Sequence, residues 1–232
     1  MKIAQITDIH IGEKAVKDNQ IRIKDNLERV LAESLRNGVE LIIVTGDMGA
    51  VEEYGYLKHK LDNTKIDYRI VLGNHDESYN ENRIKEHEQN YHKEHYKDCS
   101  ILYLDSSSSY IDKKQFQWIE ASLKDDAGKI LIFIHHPVLD CGNTVIDKIC
   151  PLENRDRLRD VLVESGKDIF IFAGHHHTIQ ETEHKNIKQY IAPSLAYQFK
   201  AYSDELEIES TDFGYRIIDI LDGTVKTKAV SF

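Results

Sequence analysis

The chain has 232 residues and no apolar run long enough to suggest a membrane span. Its 30 basic and 40 acidic side chains give a formal charge of −10, which disfavours binding to long nucleic acids because their phosphates would be repelled. We expect one domain, 1–232, because this length suits a single α/β domain with a full core.

Three cysteines, Cys99, Cys141 and Cys150, make an odd count. This favours reduced thiols and a cytoplasmic protein, with a Cys141–Cys150 bridge as an alternative. The N-terminal apolar run is broken at Gln5 and Asp8 and is too short for the core of a signal peptide. We therefore expect neither export nor membrane association.

The first three quarters of the chain alternate between two kinds of hydrophobic pattern. Continuous apolar runs predict strands that are buried on both faces, at Lys2–Thr7, Leu41–Thr45, Tyr68–Leu72, Ile101–Leu104, Lys129–Ile134 and Asp168–Ala173. Helical periodicity lies between several of them, at Gln20–Asn37, Tyr54–Leu61, Lys113–Leu123 and Asn154–Glu164. This alternation predicts parallel βαβ units.

The C-terminal part has a different pattern. Ile187–Ile191, Tyr215–Leu221 and Thr224–Val230 are strand-like, with no helical pattern between them. Asp222-Gly223 is typical of a tight hairpin turn. We expect these strands to form a second, more antiparallel sheet, so that two sheets pack as a sandwich flanked by helices.

Polar clusters follow the ends of five predicted strands. They are Asp8 with His10, Asp47, Asn74 with His75 and Asp76, His135 with His136, and His175 to His177. Because loops at the carboxyl ends of parallel strands line one crevice, these clusters should converge. Gly46, Gly73 and Gly174 precede three of them, and glycine lets the backbone approach a ligand closely.

The chemistry of this set indicates a metal site. Imidazole, carboxylate and amide ligands without a thiolate suit Mn, Fe, Zn or Co rather than Ca or Mg alone. The candidate ligands are seven, namely Asp8, His10, Asp47, Asn74, His135, His175 and His177. They exceed what one catalytic ion needs, but they suffice for two ions that share a carboxylate. Such pairs clamp the attacking and leaving oxygens in phosphoryl displacement.

The ordered motifs resemble those of the calcineurin-like metallophosphoesterase family. They are Asp8-x-His10, Gly46-Asp47, Gly73-Asn74-His75-Asp76, His135 and Gly174-His175-x-His177. The resemblance implies a four-layer α/β/β/α sandwich with two mixed sheets. It also implies that Asp8, His10 and His177 bind one metal, that Asn74, His135 and His175 bind a second, and that Asp47 bridges both.

Several further segments are similar, more weakly, to class III cyclic nucleotide phosphodiesterases. Examples are Gln115–Ile119 and Gly214-Tyr215-Arg216. We therefore expect hydrolysis of a small phosphodiester, a 3′,5′-cyclic nucleotide such as cAMP, by hydroxide that the two metals hold. Alternatives are 2′,3′-cyclic nucleotides, glycerophosphodiesters, nucleotide-linked lipid precursors and monoesters. The resemblance also makes a homodimer plausible.

Three residues of the third motif, Asn74, His75 and Asp76, have expected roles in catalysis. His75 is the candidate general acid or phosphate-oxygen stabiliser, because the motif gives it no metal to bind. Asp76 is expected to orient the His75 imidazole. Asn74 could also donate its amide to a phosphate oxygen.

Other polar residues near the motifs allow two readings each. His136 is expected in the core or behind the ligands. The side chain of His176 is expected either to face away from the ligands or to contact the substrate. The polar segment Asn80–Lys97 predicts a solvated helix or, alternatively, a lid, with Tyr79 and Asn80 nearest the catalytic turn.

Rival functions fit the sequence less well. A nuclease of the DNA-break-repair type would need a capping domain and a basic surface. A protein Ser/Thr phosphatase would not have Met48-Gly49-Ala50 after Gly46-Asp47. An inactive scaffold, as in one retromer subunit, would be expected to have lost ligands, whereas the predicted set is complete.

Overall fold

The computed structural model describes residues 1–76, 90–96, 99–124, 128–142 and 145–232. Its strands are β1 (Lys2–Ile6), β2 (Leu41–Thr45), β3 (Asp67–Val71), β4 (His92–Tyr96), β5 (Cys99–Tyr103), β6 (Lys129–Phe133), β7 (Ile169–Ala173), β8 (Gln180–His184), β9 (Ile187–Ile191), β10 (Gln198–Phe199), β11 (Ile208–Ser210), β12 (Gly214–Leu221) and β13 (Thr224–Ser231). Its helices are α1 (Lys14–Asp18), α2 (Ile23–Arg36), α3 (Tyr54–Thr64), α4 (Lys113–Lys124), α5 (Val145–Ile149) and α6 (Arg155–Glu164), with 3₁₀ turns at Val51–Glu53 and Asn74–Asp76.

Two mixed sheets pack face to face. The first has the order β13-β12-β1-β2-β3 and the second β4-β5-β6-β7-β9-β8, while β10 and β11 form a separate short pair. Strands β1 to β3 are parallel to one another, as are β5, β6, β7 and β9. The predicted α/β sandwich is confirmed, and the parallel strands of each sheet end at one edge.

The unbroken apolar runs form strands because both of their faces are buried. In β2, Ile43 packs into the core between the sheets, whereas Ile42 and Val44 pack toward α2 and α3. In β6, Phe133 lies between the sheets and Ile132 packs toward α4 and α6. Alternation of side chains along each strand thus produces the four layers of helix, sheet, sheet and helix.

The expectation of a separate C-terminal sheet is wrong. β9 extends the second sheet in parallel with β7, whereas β12 joins the first sheet antiparallel to β1. The predicted hairpin turn is present, because Leu221 pairs with Thr224 around Asp222 and Gly223, whose φ values are 48° and 70°.

Part of Asn80–Lys97 also differs from the expected solvated helix. Residues 77–89 and 97–98, and with them Tyr79 and the proposed lid, lie outside the described residues. The described part forms β4, which pairs antiparallel with the edge of β5. His95 faces Ser100 across this ladder, with 2.9 Å between the ring nitrogen and the hydroxyl oxygen.

Across the described residues, no helix is long and apolar enough to cross a membrane. Cys99, Cys141 and Cys150 are all described and carry no disulfide. The alternative of a Cys141–Cys150 bridge is therefore wrong, while a cytoplasmic location stays a prediction.

Candidate metal centre

The polar clusters of both sheets meet at the carboxyl edge of the sandwich. Two groups have donor atoms that all lie within 4.8 Å of one another, namely Asp8, His10 and His177, and Asp47, His135 and His175. The six side chains are buried. Each group combines loops of the first sheet with loops of the second, so a cation bound there would join the two sheets.

The loops that carry these residues have an unusual backbone. Left-handed φ values occur at Asp8 (52°), His10 (48°), Asp47 (53°), His175 (69°) and His177 (48°). Residues other than glycine rarely adopt this backbone conformation, and such strain concentrates at functional sites. Backbone hydrogen bonds hold it here, because the Asp8 and His10 N–H groups donate to the carbonyls of Gly46 and Asp47 at 3.1 and 2.9 Å.

Close packing explains two glycines of the motifs. A Cβ on Gly73 would lie 2.2 Å from Oδ1 of Asp47. A Cβ on Gly174 would lie 1.9 Å from the hydroxyl oxygen of Thr7. Any larger residue at either position would displace the loops that carry the donor atoms.

His135 and His175 face each other through nitrogens that hold no proton in the neutral rings. Nδ1 of His135 donates to the Thr45 carbonyl at 2.8 Å, and Nε2 of His175 donates to the Cys150 carbonyl at 2.8 Å. A carbonyl oxygen only accepts, so these nitrogens carry the ring protons. The other two nitrogens lie 3.2 Å apart, and both are acceptors.

His10 and His177 repeat this arrangement. Nδ1 of His177 donates to the Tyr197 carbonyl at 3.0 Å, and Nδ1 of His10 lies 3.1 Å from a carboxylate oxygen of Glu13. The two Nε2 atoms are 3.0 Å apart. Again two lone pairs face each other unless a positive charge lies between them.

The pKa values within each pair diverge. Burial opposes protonation of His135, but the charge of Asp47 raises its pKa to about 9, whereas burial holds the pKa of His175 well below its usual value. Burial also opposes protonation of His10, yet neighbouring carboxylates raise its pKa, while burial lowers the pKa of His177. Each pair therefore accommodates one positive charge, which a proton or a metal ion can supply.

Asp47 lies between the two pairs. One of its oxygens, Oδ2, is 3.7 Å from Nε2 of His10 and 3.4 Å from Nε2 of His135. The amide oxygen of Asn74 is 3.1 Å from the same His135 nitrogen. The Asn74 oxygen and this nitrogen are both acceptors when the His135 ring is neutral. Oδ2 of Asp47 lies close to both histidine pairs.

Asp8 adds a second buried negative charge. Burial would raise the pKa of this carboxyl, but His177, with Nε2 at 3.4 Å, lowers it to about 2. The backbone N–H of His175 also donates to both carboxylate oxygens, at 3.1 and 3.0 Å. Two ionised carboxylates, Asp8 and Asp47, in a buried pocket need compensating cations.

The donor set fits divalent metal ions. Its nitrogen and oxygen donors suit transition metals, and three of the four imidazoles donate their other ring N–H to a backbone carbonyl, as metal-binding histidines usually do. These side chains could hold such ions, although the donors themselves do not single out one metal.

His75 lies at the rim of this pocket on the turn after β3. Its backbone N–H donates to Oδ1 of Asp47 at 2.9 Å, and its side chain is 47% exposed. Nδ1 of the ring is 3.1 Å from Oε2 of Glu13, and this hydrogen bond raises the pKa of His75 to about 9. A protonated imidazole therefore stands between the buried donors and solvent.

Asp76 does not orient His75, contrary to the prediction. Its carboxylate accepts backbone N–H groups from Gly73, Asp47 and Met48 at 2.8 to 2.9 Å. These bonds join the loops after β2 and β3. Asp76 therefore holds together the two loops that carry Asp47 and Asn74.

Sequence reasoning missed Glu13, which makes the contact predicted for Asp76. The available signal is an acidic residue three positions after His10 in a short loop. That spacing alone is common, and only the path of the loop brings this carboxylate to His75.

His136 and His176 lie beside the donor histidines, with ring centroids 4.2 and 5.7 Å from that of His175, but the polar contacts of their rings are to other residues. His136 is buried with Nδ1 2.9 Å from the hydroxyl oxygen of Ser106, in keeping with the core position considered for it. His176 is buried too, and its Nε2 lies 3.5 Å from Asp147 on α5. This burial is in keeping with the alternative in which His176 faces away from the substrate, whereas the substrate contact stays a prediction.

Comparison with known proteins supports the reading of this pocket. Residues 1–178 match the family model described as calcineurin-like phosphoesterase. A Fibrobacter succinogenes protein named "Probable cyclic nucleotide phosphodiesterase" is 26% identical over 239 residues, 98% of this chain and 93% of that protein. An Arcobacter nitrofigilis protein named "Probable glycerophosphodiester phosphodiesterase GpdQ" is 29% identical over 217 residues, 85% of this chain and 80% of its own.

The fold also matches solved structures. A dimetal phosphatase from Danio rerio has a TM-score of 0.68 at 15% identity, covering 100% of this chain and 98% of that one. At this identity the likeness shows the fold alone. The family match, by contrast, spans every motif from Asp8 to His177, and on that basis the chain belongs to the calcineurin-like phosphoesterase family.

Proposed function

We propose that this phosphoesterase is a two-metal phosphodiesterase that hydrolyses a 3′,5′-cyclic nucleotide such as cAMP. The observation that carries the proposal is the two pairs of facing imidazole acceptors, with Oδ2 of Asp47 within 3.7 Å of a nitrogen of each. One divalent cation at each pair would resolve both contacts, and a shared carboxylate suits the close spacing of two-metal sites.

The proposed ligands follow from this placement. Asp8, His10 and His177 would hold one ion, Asn74, His135 and His175 the other, and Asp47 would bridge them. When bound, such a pair supplies an activated water and a positive field for the phosphate. Mn, Fe, Zn and Co all suit these donors.

The remaining steps belong to residues of this chain. Because the amide oxygen of Asn74 turns toward His135, its NH₂ group is directed elsewhere and can donate to a phosphate oxygen. As a hydroxide oxygen bonds to phosphorus and the bond to the leaving oxygen breaks, His75 gives its Nε2 proton to the departing alkoxide. The Nδ1 proton of His75 stays against Glu13.

The choice of substrate is supported by the cyclic nucleotide phosphodiesterase relative, which aligns with almost the whole chain. Opening a cyclic nucleotide expels a strongly basic alkoxide, so a positioned acid such as His75 helps most with this kind of leaving group. A glycerophosphodiester is the second candidate, which the Arcobacter nitrofigilis relative favours.

A substrate panel tests the proposal. The Mn²⁺-loaded protein is assayed for kcat/KM on 3′,5′-cAMP, 2′,3′-cAMP, glycerophosphocholine, bis(p-nitrophenyl) phosphate and p-nitrophenyl phosphate. We expect the highest value for 3′,5′-cAMP. A higher value for glycerophosphocholine would replace the proposed substrate. Cleavage of the monoester alone would indicate a phosphomonoesterase, and failure to cleave any of the five compounds would favour the scaffold.

A further inference from the structure

We propose that Glu13 is a positioning residue that holds the His75 ring in one orientation and so aims the proton donor at the leaving oxygen. This inference rests on the proposed phosphodiesterase function. It concerns an acidic side chain that the metal motifs do not include.

A single oxygen of Glu13 lies between the two imidazoles. Oε2 is 3.1 Å from Nδ1 of His10 and 3.1 Å from Nδ1 of His75. The two rings meet edge to face, with centroids 4.9 Å apart and planes at 81°. Nδ1 of His75 is hydrogen-bonded to this oxygen, whereas Nδ1 of His10 lies at the same distance without hydrogen-bond geometry. Because Nδ1 of His75 is held in this way, the opposite nitrogen of its ring is directed away from Glu13. Nε2 of His10 turns to the donor cluster, and Nε2 of His75 is left for substrate.

The backbone holds Glu13 firmly in this place. Ile11 joins the neighbouring loop through an N–H bond to Met48 and accepts one from Ala50, at 3.1 and 2.8 Å. The N–H of Glu13 then donates to the His10 carbonyl at 3.1 Å. Its side chain is only 21% exposed, so few other rotamers are open to it.

His75 needs such a partner more than the buried histidines do. Its side chain is nearly half exposed, whereas His135 and His177 are enclosed and held by backbone carbonyls. A proton donor must lie within about 3 Å of the atom it protonates, and a misplacement of about 1 Å can cost about 100-fold in rate. Glu13 supplies this constraint through the side chain of an adjacent loop.

The variant Glu13→Gln tests the inference, because glutamine keeps the length and shape of the side chain and removes its charge. Glu53→Gln is the matched control, since Glu53 is 29% exposed, lies nearby on the turn before α3 and pairs with Lys24 at 2.9 Å. Both proteins are saturated with Mn²⁺, and bound metal is counted by mass spectrometry. kcat and KM are then measured on aryl methyl phosphates whose leaving groups range from p-nitrophenol to phenol.

We expect Glu13→Gln to keep two metal ions per chain and a nearly unchanged KM. Its kcat should fall by about 10- to 100-fold on the phenyl ester, the usual cost of losing a partner that orients a site residue. The loss should be smaller on the p-nitrophenyl ester, because a weakly basic leaving group needs little protonation. Glu53→Gln should match the unchanged protein throughout.

A double variant separates action through His75 from action through His10. If Glu13 acts through His75, Glu13→Gln should change kcat little when His75 is already alanine. An additive loss, or an equal loss for every leaving group, would overturn the inference. So would a third metal ion per chain that disappears in Glu13→Gln, since these three side chains could also hold a cation. An unchanged protein that cleaves no diester refutes the proposed function instead.

Discussion

Two polar clusters of the sandwich pair their groups in opposite ways. At the edge formed by β3 and β4, the partly buried Glu94 accepts hydrogen bonds from Arg69 at 2.7 Å, from Tyr96 at 2.8 Å and from Tyr103 at 3.1 Å. Each of these three contacts joins a donor to an acceptor. At the carboxyl ends, acceptor faces acceptor in two imidazole pairs.

This difference separates a structural polar cluster from a functional one. A network that is complete in itself stabilises the fold and needs nothing more. A buried cluster whose acceptors face one another is complete only with a cation. Changes at the carboxyl end should therefore alter metal content and activity, and changes at the β3–β4 edge should alter stability alone.

Asp47→Asn should have the largest effect. The amide keeps the shape of the side chain but removes the charge that both groups share, so we expect substoichiometric metal. Activity on bis(p-nitrophenyl) phosphate should fall by more than about 100-fold, because losing a ligand should cost more than losing its hydrogen-bond partner. Metal analysis and kcat check this, and full metal content with normal activity would contradict a bridging Asp47.

His75→Ala should separate chemistry from metal binding. Its imidazole lies at the rim, and its only predicted role is proton donation or phosphate contact. We expect a fall of about 10²- to 10⁴-fold in kcat with both ions retained. The measurement pairs turnover of an alkyl diester with metal counting. Near-normal turnover would show that another group, or water, protonates the leaving oxygen.

Removing the metal should loosen the join between the sheets. Each proposed ion takes ligands from both sheets, so chelation with EDTA should lower the thermal midpoint as well as abolish activity. An ion at 100 times its dissociation constant stabilises the folded state by about 2.7 kcal/mol, or about 5–10 °C for a chain of this size. Calorimetry before and after re-addition of Mn²⁺ measures the shift; an unchanged midpoint would argue against ligands from both sheets.

The residues of the candidate site were predictable from the sequence because each follows the end of a buried strand. Parallel strands bring their carboxyl ends together whatever their order in the sheet, so Asp8, Asp47 and His135 could be grouped without knowing the topology. The tautomers of the histidines were not predictable. They depend on the Thr45, Cys150 and Tyr197 carbonyls, which reach the rings only after the loops fold.

The sheet to which each C-terminal strand belongs was also beyond the sequence. Strand propensity and turn residues identify β9, β12 and β13, but pairing partners depend on contacts distant in the chain. Arg216 illustrates the point. Its fully buried guanidinium reaches from β12 to the Ile191 carbonyl at 3.2 Å in the other sheet, and the sequence shows only an arginine in a strand.

The contact between Glu13 and His75 is a second feature that the sequence did not predict. Asp76 is adjacent to His75 in sequence and is the partner that the sequence predicts. Its carboxylate instead accepts hydrogen bonds from three backbone N–H groups. A loop that pairs with the strand-two loop brings Glu13 there instead. Position in the sequence therefore predicted which side chains converge, but it predicted their hydrogen-bond partners poorly.

Glu94→Gln should have the smallest effect, and one confined to stability. Burial alone would raise the pKa of Glu94, but hydrogen bonds from Tyr96 and Arg69 lower it. A carboxyl whose pKa is lower in the folded state stabilises the fold above its unfolded pKa of about 4.3, and this contribution is lost as the pH falls through the folded value.

At neutral pH, Glu94→Gln should therefore lower the free energy of unfolding by about 1–3 kcal/mol, which corresponds to about 2–4 °C for each kcal/mol. The difference from the unchanged protein should shrink as the pH falls below about 4. Urea unfolding of both proteins across this range measures it, and because metal leaves both alike, the difference isolates Glu94. kcat/KM at neutral pH should not change. A loss of activity larger than the loss of folded protein would mean that the β3–β4 edge and the carboxyl end of the sandwich are coupled, and the division between a self-sufficient cluster and a cation-dependent cluster would not hold.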